Sequence, residues 1–451
     1  MTHNVPTERV LSTLNQDGTR RYIRPKLAHG RFLTRRRVIG LALIALFVFL
    51  PRLRIDGRPA LLIDLVTREL DVFGAVFRPS EGFALALLGI TIVAAVFLVT
   101  ALFGRVWCGW GCPQTVYLEL VFRPVERWLE GSRGQRASWW RKTLKWTIYA
   151  AISFALANVF LAYFVGTERL EHWVFRSPLE HVGGFMIVAG VSALMLFDFG
   201  WFREQMCTIA CPYGRLQSVL LDRQSLIVGY DAGRGEPRAH LHKKLPVVGA
   251  GDCIDCSACV SVCPTGIDIR DGLQMECIGC TQCIDACDAV MDKVGRKRGL
   301  IRYTSQDELA GKGRRILRAR TIVYPLLLAL AVGLLTWEVA NREATEIWVE
   351  RVNGPAFVEL PDGKISAQAR IKLENKDQAE RRYYLLLTDS PGASLRSSPQ
   401  WTIKAHKSLE IPLFIDVPRD SFAGGKRRVY LRVHDSGGYE RILPLTLLGP
   451  S

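Results

Sequence analysis

The sequence predicts a multi-domain membrane protein in three parts: transmembrane α-helices, a compact cysteine-rich insert and an all-β C-terminal domain. Three observations favour this fold class. Long apolar runs interrupt a chain of 451 residues whose average composition, 49% apolar and 23% charged, is typical of a soluble protein. Two cysteine runs of identical spacing stand in tandem in the second half of the chain. After residue 340 the apolar spacing changes from the helical period to the alternation of β-strands.

The apolar runs predict five transmembrane helices. A helix needs about 20 apolar residues to cross the hydrocarbon core of a bilayer. Four segments reach this length, namely 83–104, 143–166, 182–202 and 321–340. A fifth segment, 38–51, is shorter. We interpret it as a retained anchor rather than a signal peptide, because Pro51, Arg52 and Arg54 stand in place of a small-residue cleavage site.

The basic residues predict the orientation of these helices. The net charge is +16, and the basic excess lies before the first segment and between the second and the third. Cytoplasmic loops carry such an excess, so we expect a cytoplasmic N-terminus and, after five crossings, an exported C-terminal domain. All 12 cysteines lie between residues 108 and 287, on the predicted reducing side. We attribute the net positive charge to membrane topology and to contact of basic residues with anionic lipid. We therefore expect no nucleic acid partner.

The tandem cysteine runs predict a ferredoxin-like domain with two [4Fe–4S] clusters. Each run has the form C-x2-C-x2-C-x3-C, which is the ligand run of bacterial two-cluster ferredoxins, where the fourth cysteine ligates the other cluster. Structural zinc is the less favoured alternative, since zinc sites use pairs of C-x-x-C. We assign one cluster to Cys253, Cys256, Cys259 and Cys287, and the other to Cys277, Cys280, Cys283 and Cys263.

Two further cysteine pairs, each of the form C-x3-C-P, follow the second and fourth apolar segments. These four residues, called the hairpin cysteines below, are Cys108, Cys112, Cys207 and Cys211. On a helix the two members of a pair would share one face, although Gly109 and Gly111 also allow a loop. Because Cu(I) prefers thiolate and thioether ligands, we predict a copper or redox site here, with Met206 as an added thioether. A third cubane, disulfides and unliganded thiols are the alternatives.

An amphipathic helix is predicted after each pair, over 114–129 and 213–226. We expect the first of these helices to lie on the membrane surface and to be kinked at Pro124.

The chain after residue 340 predicts an immunoglobulin-like sandwich. Short alternating runs are separated by turn signals such as Asn353-Gly354-Pro355 and Pro361-Asp362-Gly363. The candidate strands are 347–352, 365–374, 382–388, 401–405, 409–417, 428–433 and 441–448. Cysteine is absent from this segment, so we interpret it as a docking module.

We therefore divide the chain into five segments. They are a flexible cytoplasmic basic arm (1–37), a four-helix membrane region (38–226), a cytoplasmic ferredoxin domain with a basic linker (227–320), a fifth transmembrane helix (321–340) and an exported β-sandwich (341–451).

Taken together, these features resemble the CcoG family, also called FixG or RdxA. The resemblance rests on CGWGCP at 108–113, CTIACP at 207–212, the cysteine runs at 253–264 and 277–288, and the cysteine-free β domain. Membrane ferredoxins of the NapH and NosR kind share the paired motifs, and the β domain favours the first family. The resemblance implies an accessory protein of the bacterial inner membrane that assists assembly of cbb3-type cytochrome c oxidase and reduces Cu(II) to Cu(I). By this resemblance the hairpin cysteines carry copper and the catalytic role.

The function expected from these observations is one-electron transfer to copper, because a cubane donates single electrons as Cu(II) reduction requires. The expected partners are the membrane, copper ions, oxidase assembly factors or a copper chaperone or transporter, and an unidentified electron donor. The alternatives are a quinol dehydrogenase of the NapH kind and a non-catalytic copper-holding scaffold. The sequence contains neither a G-x-G-x-x-G after a strand nor a P-loop, so we expect no nucleotide site.

Overall fold

The chain forms two compact units, Met1–Trp337 and Glu338–Ser451. The computed structural model describes residues 12–15, 19–55, 57–131, 134, 136, 138–240, 249–313, 317–351, 357–377, 379–405 and 407–450.

Helices dominate the first unit. Its α-helices are Arg31–Phe49, Gly82–Phe103, Val106–Trp110, Pro113–Tyr117, Arg123–Glu130, Trp139–Val165, Thr167–Val174, Val182–Met195, Pro212–Leu220, Ala232–Gly235, Ala258–Ser261, Gln282–Lys293, Gln306–Leu309 and Ala319–Ala340. The described residues of this unit also contain three π-helical turns, Leu118–Phe122, Leu196–Phe202 and Met206–Ala210, and three 3-10 turns, Leu50–Arg52, Pro79–Glu81 and Ile269–Asp271. The short strands are Arg54–Ile55, Arg58–Pro59, Leu61–Asp64, Glu69–Val72, Ala75–Phe77, Ile227–Tyr230 and Ile301–Thr304.

Four helices within the described ranges are long and apolar enough to cross a membrane. They are Gly82–Phe103, Trp139–Val165, Val182–Phe202 and Ala319–Ala340, and they coincide with the four longer predicted segments. The first helix, Arg31–Phe49, is not among them, because arginines occupy much of its first two turns and only the stretch from Val38 onward is apolar. Five crossings therefore stay a prediction.

The last turn of the first helix nevertheless contacts the helix Trp139–Val165. Near the start of the first helix, Arg36 Nε donates to the carbonyl of Gly109 at 2.7 Å. Near its end, the hydroxyl of Tyr163 donates to the carbonyl of Phe47 at 2.7 Å. The first helix thus extends from the end of the helices that carries the cysteines toward the opposite end.

The N-terminal arm ends earlier than predicted, and its described residues are bonded to the insert. The first helix begins at Arg31 rather than near Val38. Ahead of it, Ser12 Oγ donates to the carbonyl of Thr265 at 2.7 Å, and the amide of Lys26 donates to the carbonyl of Ser261 at 2.9 Å. These bonds hold the described part of the arm against the ferredoxin insert, where the sequence predicted a flexible segment.

The predicted surface helix is in fact buried. Residues 113–130 form one nearly continuous helix whose charged residues Arg123, Glu126 and Glu130 are 1%, 4% and 1% exposed. Pro124 does not break this helix. The π turn Leu118–Phe122 is followed by a new helical segment, Arg123–Glu130, and Pro124 lies in the first turn of that segment. Proline is tolerated there because a backbone N–H in the first turn of a helix has no acceptor within the helix. These charges do not face outward, because each is paired inside the unit: Arg123 with Glu204, Glu126 with Arg203, and Glu130 with Lys145.

The ferredoxin insert closes on itself through an antiparallel pair, Ile227–Tyr230 with Ile301–Thr304. Its core is small and combines aliphatic side chains with cysteines: Val228, Ile267, Ile269, Ile284, Met291, Leu300 and Ile301 pack with Cys253, Cys259 and Cys287. The cysteines are therefore part of the core that the fold must bury.

The second unit is a two-sheet β-sandwich. The strands are Thr345–Arg351, Phe357–Glu359, Lys364–Asn375, Arg381–Thr388, Ser394–Leu395, Gln400–Ile403, Ser408–Pro418, Lys426–Asp435 and Glu440–Leu448. One sheet has five strands around Lys364–Asn375, and the other has four around Arg381–Thr388 and Lys426–Asp435. Inward residues such as Ile371, Leu385 and Leu431 are fully buried. All seven predicted strands are present, and Phe357–Glu359 and Ser394–Leu395 are additional short strands.

Candidate functional site

The two cysteine runs of the insert share one backbone conformation. The residues on either side of Cys256, Asp255 and Ser257, have φ of 51° and 52°, and the residues on either side of Cys280, Gly279 and Thr281, have φ of 68° and 64°. A side chain in this left-handed region costs free energy. Its recurrence at equivalent positions shows that the two loops share one backbone fold around their cysteines.

The structure brings the fourth cysteine of each run to the other run. A cavity is lined by Cys263, Cys277, Cys280 and Cys283, together with Cys259 from the other group. Cys287, in turn, interacts electrostatically with Cys259, Cys256 and Cys253. This crossed grouping matches the ligand assignment from the sequence; the ligation itself stays a prediction.

The environment of these sulfurs fits an iron–sulfur cluster. Burial raises the thiol pKa of several of them, to about 12 for Cys259, Cys280 and Cys287 and to about 11 for Cys277. Backbone N–H groups and nearby arginines act in the opposite direction: Gly279 N–H and Arg105 favour the thiolate of Cys277, and Gln282 N–H and Arg36 favour that of Cys280. Buried soft sulfurs surrounded by hydrogen-bond donors are the setting in which iron holds cysteine as thiolate.

The hairpin cysteines lie on turns between helices. Cys108 belongs to the helix Val106–Trp110, whereas Cys112 is extended and precedes the next helix. The amide of Cys112 donates to the carbonyl of Trp107 at 2.9 Å, and the amide of Cys211 donates to that of Met206 at 2.8 Å. Each of these bonds thus closes a six-residue turn. In each pair only the first cysteine lies in a helical element, so the two cysteines do not share one helical face as predicted.

The two turns meet, although they are far apart in the sequence. Cys108 interacts electrostatically with Cys112 and Cys211, and Cys207 interacts with Cys112, Cys108 and Cys211. Burial is the main cause that raises the pKa of the Cys108 thiol to about 12, and it raises those of Cys112 and Cys207 as well. The Cys108 thiol donates to Gln217 Oε1 at 3.0 Å, so Gln217 orients it.

Copper ligation is not supported by this geometry. In the part of the chain that the structure describes, no three His, Cys, Asp or Glu side chains converge as they would around a single metal ion. Met206 precedes Cys207 on the π turn Met206–Ala210, and its backbone carbonyl is the acceptor of the Cys211 amide. A copper role for the hairpin cysteines and Met206 stays a proposal.

The first hairpin turn packs directly on the insert. At Gly109, an added Cβ would lie 2.7 Å from the carbonyl oxygen of Ile278 and 2.8 Å from the Cα of Cys280. A glycine is required at this position because any side chain would separate the two backbones. The turn that holds Cys108 and Cys112 therefore touches the loop that holds Cys280.

Arg105 ties both hairpin turns to the insert, and the sequence analysis missed it. Its Nη1 donates to the carbonyls of Met275 and Cys277, the latter at 3.2 Å, and its Nη2 donates to the carbonyl of Gly214, beyond Cys211, at 2.8 Å. The available signal was an arginine three residues before Cys108 at the end of an apolar helix.

A buried ion network supports the same region. Glu204 pairs with Arg20 at 3.2 Å, Arg123 at 3.2 Å and Arg203 at 3.6 Å, and Arg203 pairs with Glu126 at 3.0 Å. Arg123 also donates to the carbonyl of Pro264, next to Cys263, at 3.4 Å. The network joins the arm, both hairpins and the insert. The sequence carries a signal for it in the charges of the segment 114–129, for which we predict a helix on the membrane surface.

Comparison with known proteins covers most of the chain. Models of a 4Fe-4S binding domain match residues 85–134, a 4Fe-4S dicluster domain residues 202–306, and the IG-like fold at the C-terminus of FixG, putative oxidoreductase, residues 335–450. The first two matches include all the hairpin cysteines, and the second includes the eight cysteines of the insert.

Full-length relatives agree with these matches. Protein RdxA of Cereibacter sphaeroides is 36% identical, over 92% of this chain and 94% of its own length. Nitrogen fixation protein FixG of Rhizobium meliloti is 34% identical, over 94% and 91%. Ferredoxin-type protein NapH of Haemophilus influenzae is 25% identical, over 54% and 78%. A crystal structure of a FixG-related protein from Vibrio parahaemolyticus matches 24% of this chain and all of its own, with 14% identity and a TM-score of 0.23. The chain belongs to the FixG/RdxA family of membrane-type iron–sulfur electron-transfer proteins.

Proposed function

We propose that this protein reduces Cu(II) to Cu(I) at the hairpin cysteines and that it does so for the assembly of a cbb3-type cytochrome c oxidase. The observation that carries the proposal is the contact of Gly109 with Ile278 and Cys280. It sets four sulfurs of the kind that Cu(I) prefers against a loop whose sulfurs suit an iron–sulfur cluster.

The insert would hold the electron-transfer groups. Cys253, Cys256, Cys259 and Cys287 would bind one [4Fe–4S] cluster, and Cys277, Cys280, Cys283 and Cys263 the other. When bound, the clusters supply single electrons, and each Cu(II) needs one electron to become Cu(I). The electrons come from a reduced carrier on the cytoplasmic side or from a quinol.

The hairpin residues then act on copper as substrate. Copper binding displaces the thiol protons, because metals bind the thiolate form. The raised pKa of Cys108 keeps this site protonated and uncharged until a cation arrives. Gln217 fixes the direction of the Cys108 sulfur, and Arg105 fixes both turns against the insert. Met206 is the candidate thioether ligand.

We also propose that the cysteine-bearing end faces the cytoplasm of a bacterial inner membrane. Arginines such as Arg36, Arg105, Arg123 and Arg203 gather at that end, in accordance with the positive-inside rule. The contacts of the first helix with Gly109 and Tyr163 support a fifth crossing. The β-sandwich would then be exported, where it docks a partner in oxidase assembly or copper delivery.

A second candidate is a quinol-dependent electron relay. It is favoured by the similarity to NapH, which extends over 54% of this chain. In that case quinol would reduce the clusters, and an enzyme rather than copper would accept the electrons.

The test compares the full-length protein, purified without oxygen, with a variant in which all four hairpin cysteines are serine. Each protein is reduced, freed of excess reductant and mixed with Cu(II), and Cu(I) is measured with a cuprous chelator. We expect Cu(I) formation only from the unchanged protein, with equal iron content in both. Equal Cu(I) formation would overturn the site. A loss of iron in the variant would instead assign the hairpin cysteines to a further cluster. Cluster reduction by quinol without Cu(I) formation would favour the relay.

A further inference from the structure

A cavity of about 270 Å³ lies beside the first helix, apart from both cysteine groups. Its walls come from the first helix and from the buried helix 113–130. Three arginines, Arg36, Arg37 and Arg127, line it together with Glu119, and Leu41 and Leu120 form part of an apolar wall. The cavity is therefore amphiphilic, with cationic and aliphatic surfaces side by side.

The charges of this cavity do not cancel. Glu119 is already engaged by Arg123, one turn further along its helix, and by Arg127 at 3.5 Å. Arg36 also acts on Glu119 electrostatically. The described lining residues therefore place three arginines, Arg36, Arg37 and Arg127, around one carboxylate that is already shared. A cation would find no free carboxylate here, whereas an anion would find an excess of guanidinium groups.

Arg36 gives independent evidence for an anion. It is 4% exposed, and its Nε donates to the carbonyl of Gly109 at 2.7 Å. Its Nη2 is buried and has no hydrogen-bond partner among the described residues. A buried donor without a partner costs free energy, more so when it is charged. An acceptor on a ligand in the cavity would remove this cost.

The position of the cavity indicates what carries the anion. It lies where the arginine-rich first turns of the helix Arg31–Phe49 give way to an apolar stretch, which is the level of lipid headgroups if this helix crosses the membrane. Basic pockets between helices on the cytoplasmic side bind anionic headgroups. We propose that this cavity binds the phosphate of an anionic phospholipid at Arg36, Arg37 and Arg127, with the start of an acyl chain against Leu41 and Leu120.

Arg36 connects this site with the redox region. The same guanidinium binds the Gly109 carbonyl and lies close enough to Cys280 to interact with it electrostatically. A phosphate on Nη2 would hold Arg36 in place and so stabilise the contact of the hairpin turn with the insert. This consequence rests on the proposed electron transfer, whereas lipid binding rests only on the proposed crossing and orientation of the first helix.

The experiment counts lipids on the full-length protein by native mass spectrometry after transfer from nanodiscs of phosphatidylcholine with or without phosphatidylglycerol. We expect retention of phosphatidylglycerol and not of phosphatidylcholine, with no displacement by excess glycerol 3-phosphate. Arg37→Gln and Arg127→Gln should each weaken retention about fivefold, the effect of one arginine near a membrane surface. Arg35→Gln, an exposed arginine of the same helix outside the cavity, should leave retention unchanged.

Three outcomes would overturn the proposal: equal retention of phosphatidylcholine, displacement by glycerol 3-phosphate, or equal losses in Arg35→Gln and Arg37→Gln. Arg36→Gln also removes the bond to Gly109, so the test rests on Arg37 and Arg127. Hydrogen exchange of residues 106–112, measured without copper, provides the second readout. We expect slower exchange in phosphatidylglycerol nanodiscs for the unchanged protein but not for Arg37→Gln. Failure of Cu(I) formation would leave both readouts intact.

Discussion

The cysteines of the insert and the hairpin cysteines are brought together in different ways. In the insert, each run of three is set by local spacing and by left-handed residues at equivalent positions, such as Asp255 and Gly279. The hairpin cysteines come from two turns that are distant in the sequence and are brought together by tertiary contacts, among them those of Arg105 and of the buried ion network. The first site is specified locally and the second by tertiary packing. The two sites should therefore fail under different substitutions.

The largest expected effect concerns the crossed ligands of the insert. Cys263→Ala should remove the cluster assigned to Cys277, Cys280 and Cys283, because the structure groups Cys263 with those residues. The iron content should fall from about eight to about four atoms per chain, as expected for the loss of one of two [4Fe–4S] clusters. Metal analysis and electron paramagnetic resonance of anaerobically purified protein measure this.

The electron paramagnetic resonance spectra decide whether the fourth cysteine of each run binds the cluster of the other run. Cys263→Ala should lose the same signal as Cys277→Ala, whereas Cys287→Ala should lose the same signal as Cys253→Ala. If Cys263→Ala instead matches Cys253→Ala, each run binds its own cluster and the assignment is wrong.

The buried ion network should be more important for the hairpin site than for the insert. Glu204 is 2% exposed and pairs with Arg20, Arg123 and Arg203. Glu204→Gln leaves these arginines short of a counter-charge, and breaking a buried pair in this way costs roughly 3–5 kcal/mol of the free energy of unfolding. Thermal unfolding in detergent should detect this loss of stability. Below the unfolding temperature, Cu(I) formation should decline before iron is lost.

The control for this substitution is an exposed ion pair in the same unit. Arg176 and Glu180 are 61% and 51% exposed and lie 3.5 Å apart. Arg176→Ala should change the free energy of unfolding by at most about 0.5 kcal/mol. Comparable losses in the two variants would show that the buried network has no special role.

The same contrast explains how far the sequence predicted the structure. Cysteine spacing alone predicted the crossed grouping of cysteines that the structure shows, because that information lies within 35 residues. Strand alternation located the β-sandwich because its period is local. Gly109 and Arg36 escaped prediction, since their importance comes from contacts with Cys280, which is distant in the sequence. The segment 114–129 misled us for a related reason. Its amphipathic pattern predicted a surface helix, but Glu126 and Glu130 are buried because Arg203 of the second hairpin and Arg24 of the arm neutralise them.

The contact between the two sites can be tested at Gly109. Gly109→Ala would place a Cβ against the backbone of Ile278 and Cys280, and overpacking of this kind costs about 1–3 kcal/mol. We expect full iron content and intact hairpin thiols but slower electron transfer, by roughly tenfold or more, because reacting groups are sensitive to small displacements. Stopped-flow measurement of Cu(I) formation from the reduced protein gives the rate.

Gly89→Ala provides the matched control, because a Cβ at Gly89 meets no atom within 4 Å. It should leave the rate unchanged. If Gly109→Ala also leaves it unchanged, electrons do not pass through this contact, and the observation that carries the proposed function loses its force.

The smallest expected effect is the pH dependence of the stabilisation that Asp268 gives to the first loop of the insert. Burial acts to raise the pKa of the Asp268 carboxyl, but hydrogen bonds from Arg270 outweigh it and hold that pKa below its usual value. The same arginine bonds Asp255 beside Cys256 at 2.5 Å, so it joins the loop to the rest of the insert.

Because the folded pKa of Asp268 is lowered, the unfolded chain binds a proton more readily than the folded one. The stabilisation is therefore complete above the ordinary aspartate pKa of about 3.9 and disappears as the pH falls through the folded pKa. Asp268→Asn should cost about 1–2 kcal/mol at pH 6, as for a hydrogen bond to a charged group, and the difference from the unchanged protein should shrink toward pH 3 in chemical unfolding experiments. Asp271→Asn, an exposed position on the same turn, should show no such convergence. A constant difference between pH 6 and pH 3 would mean that Asp268 stabilises the loop by packing rather than by its charge.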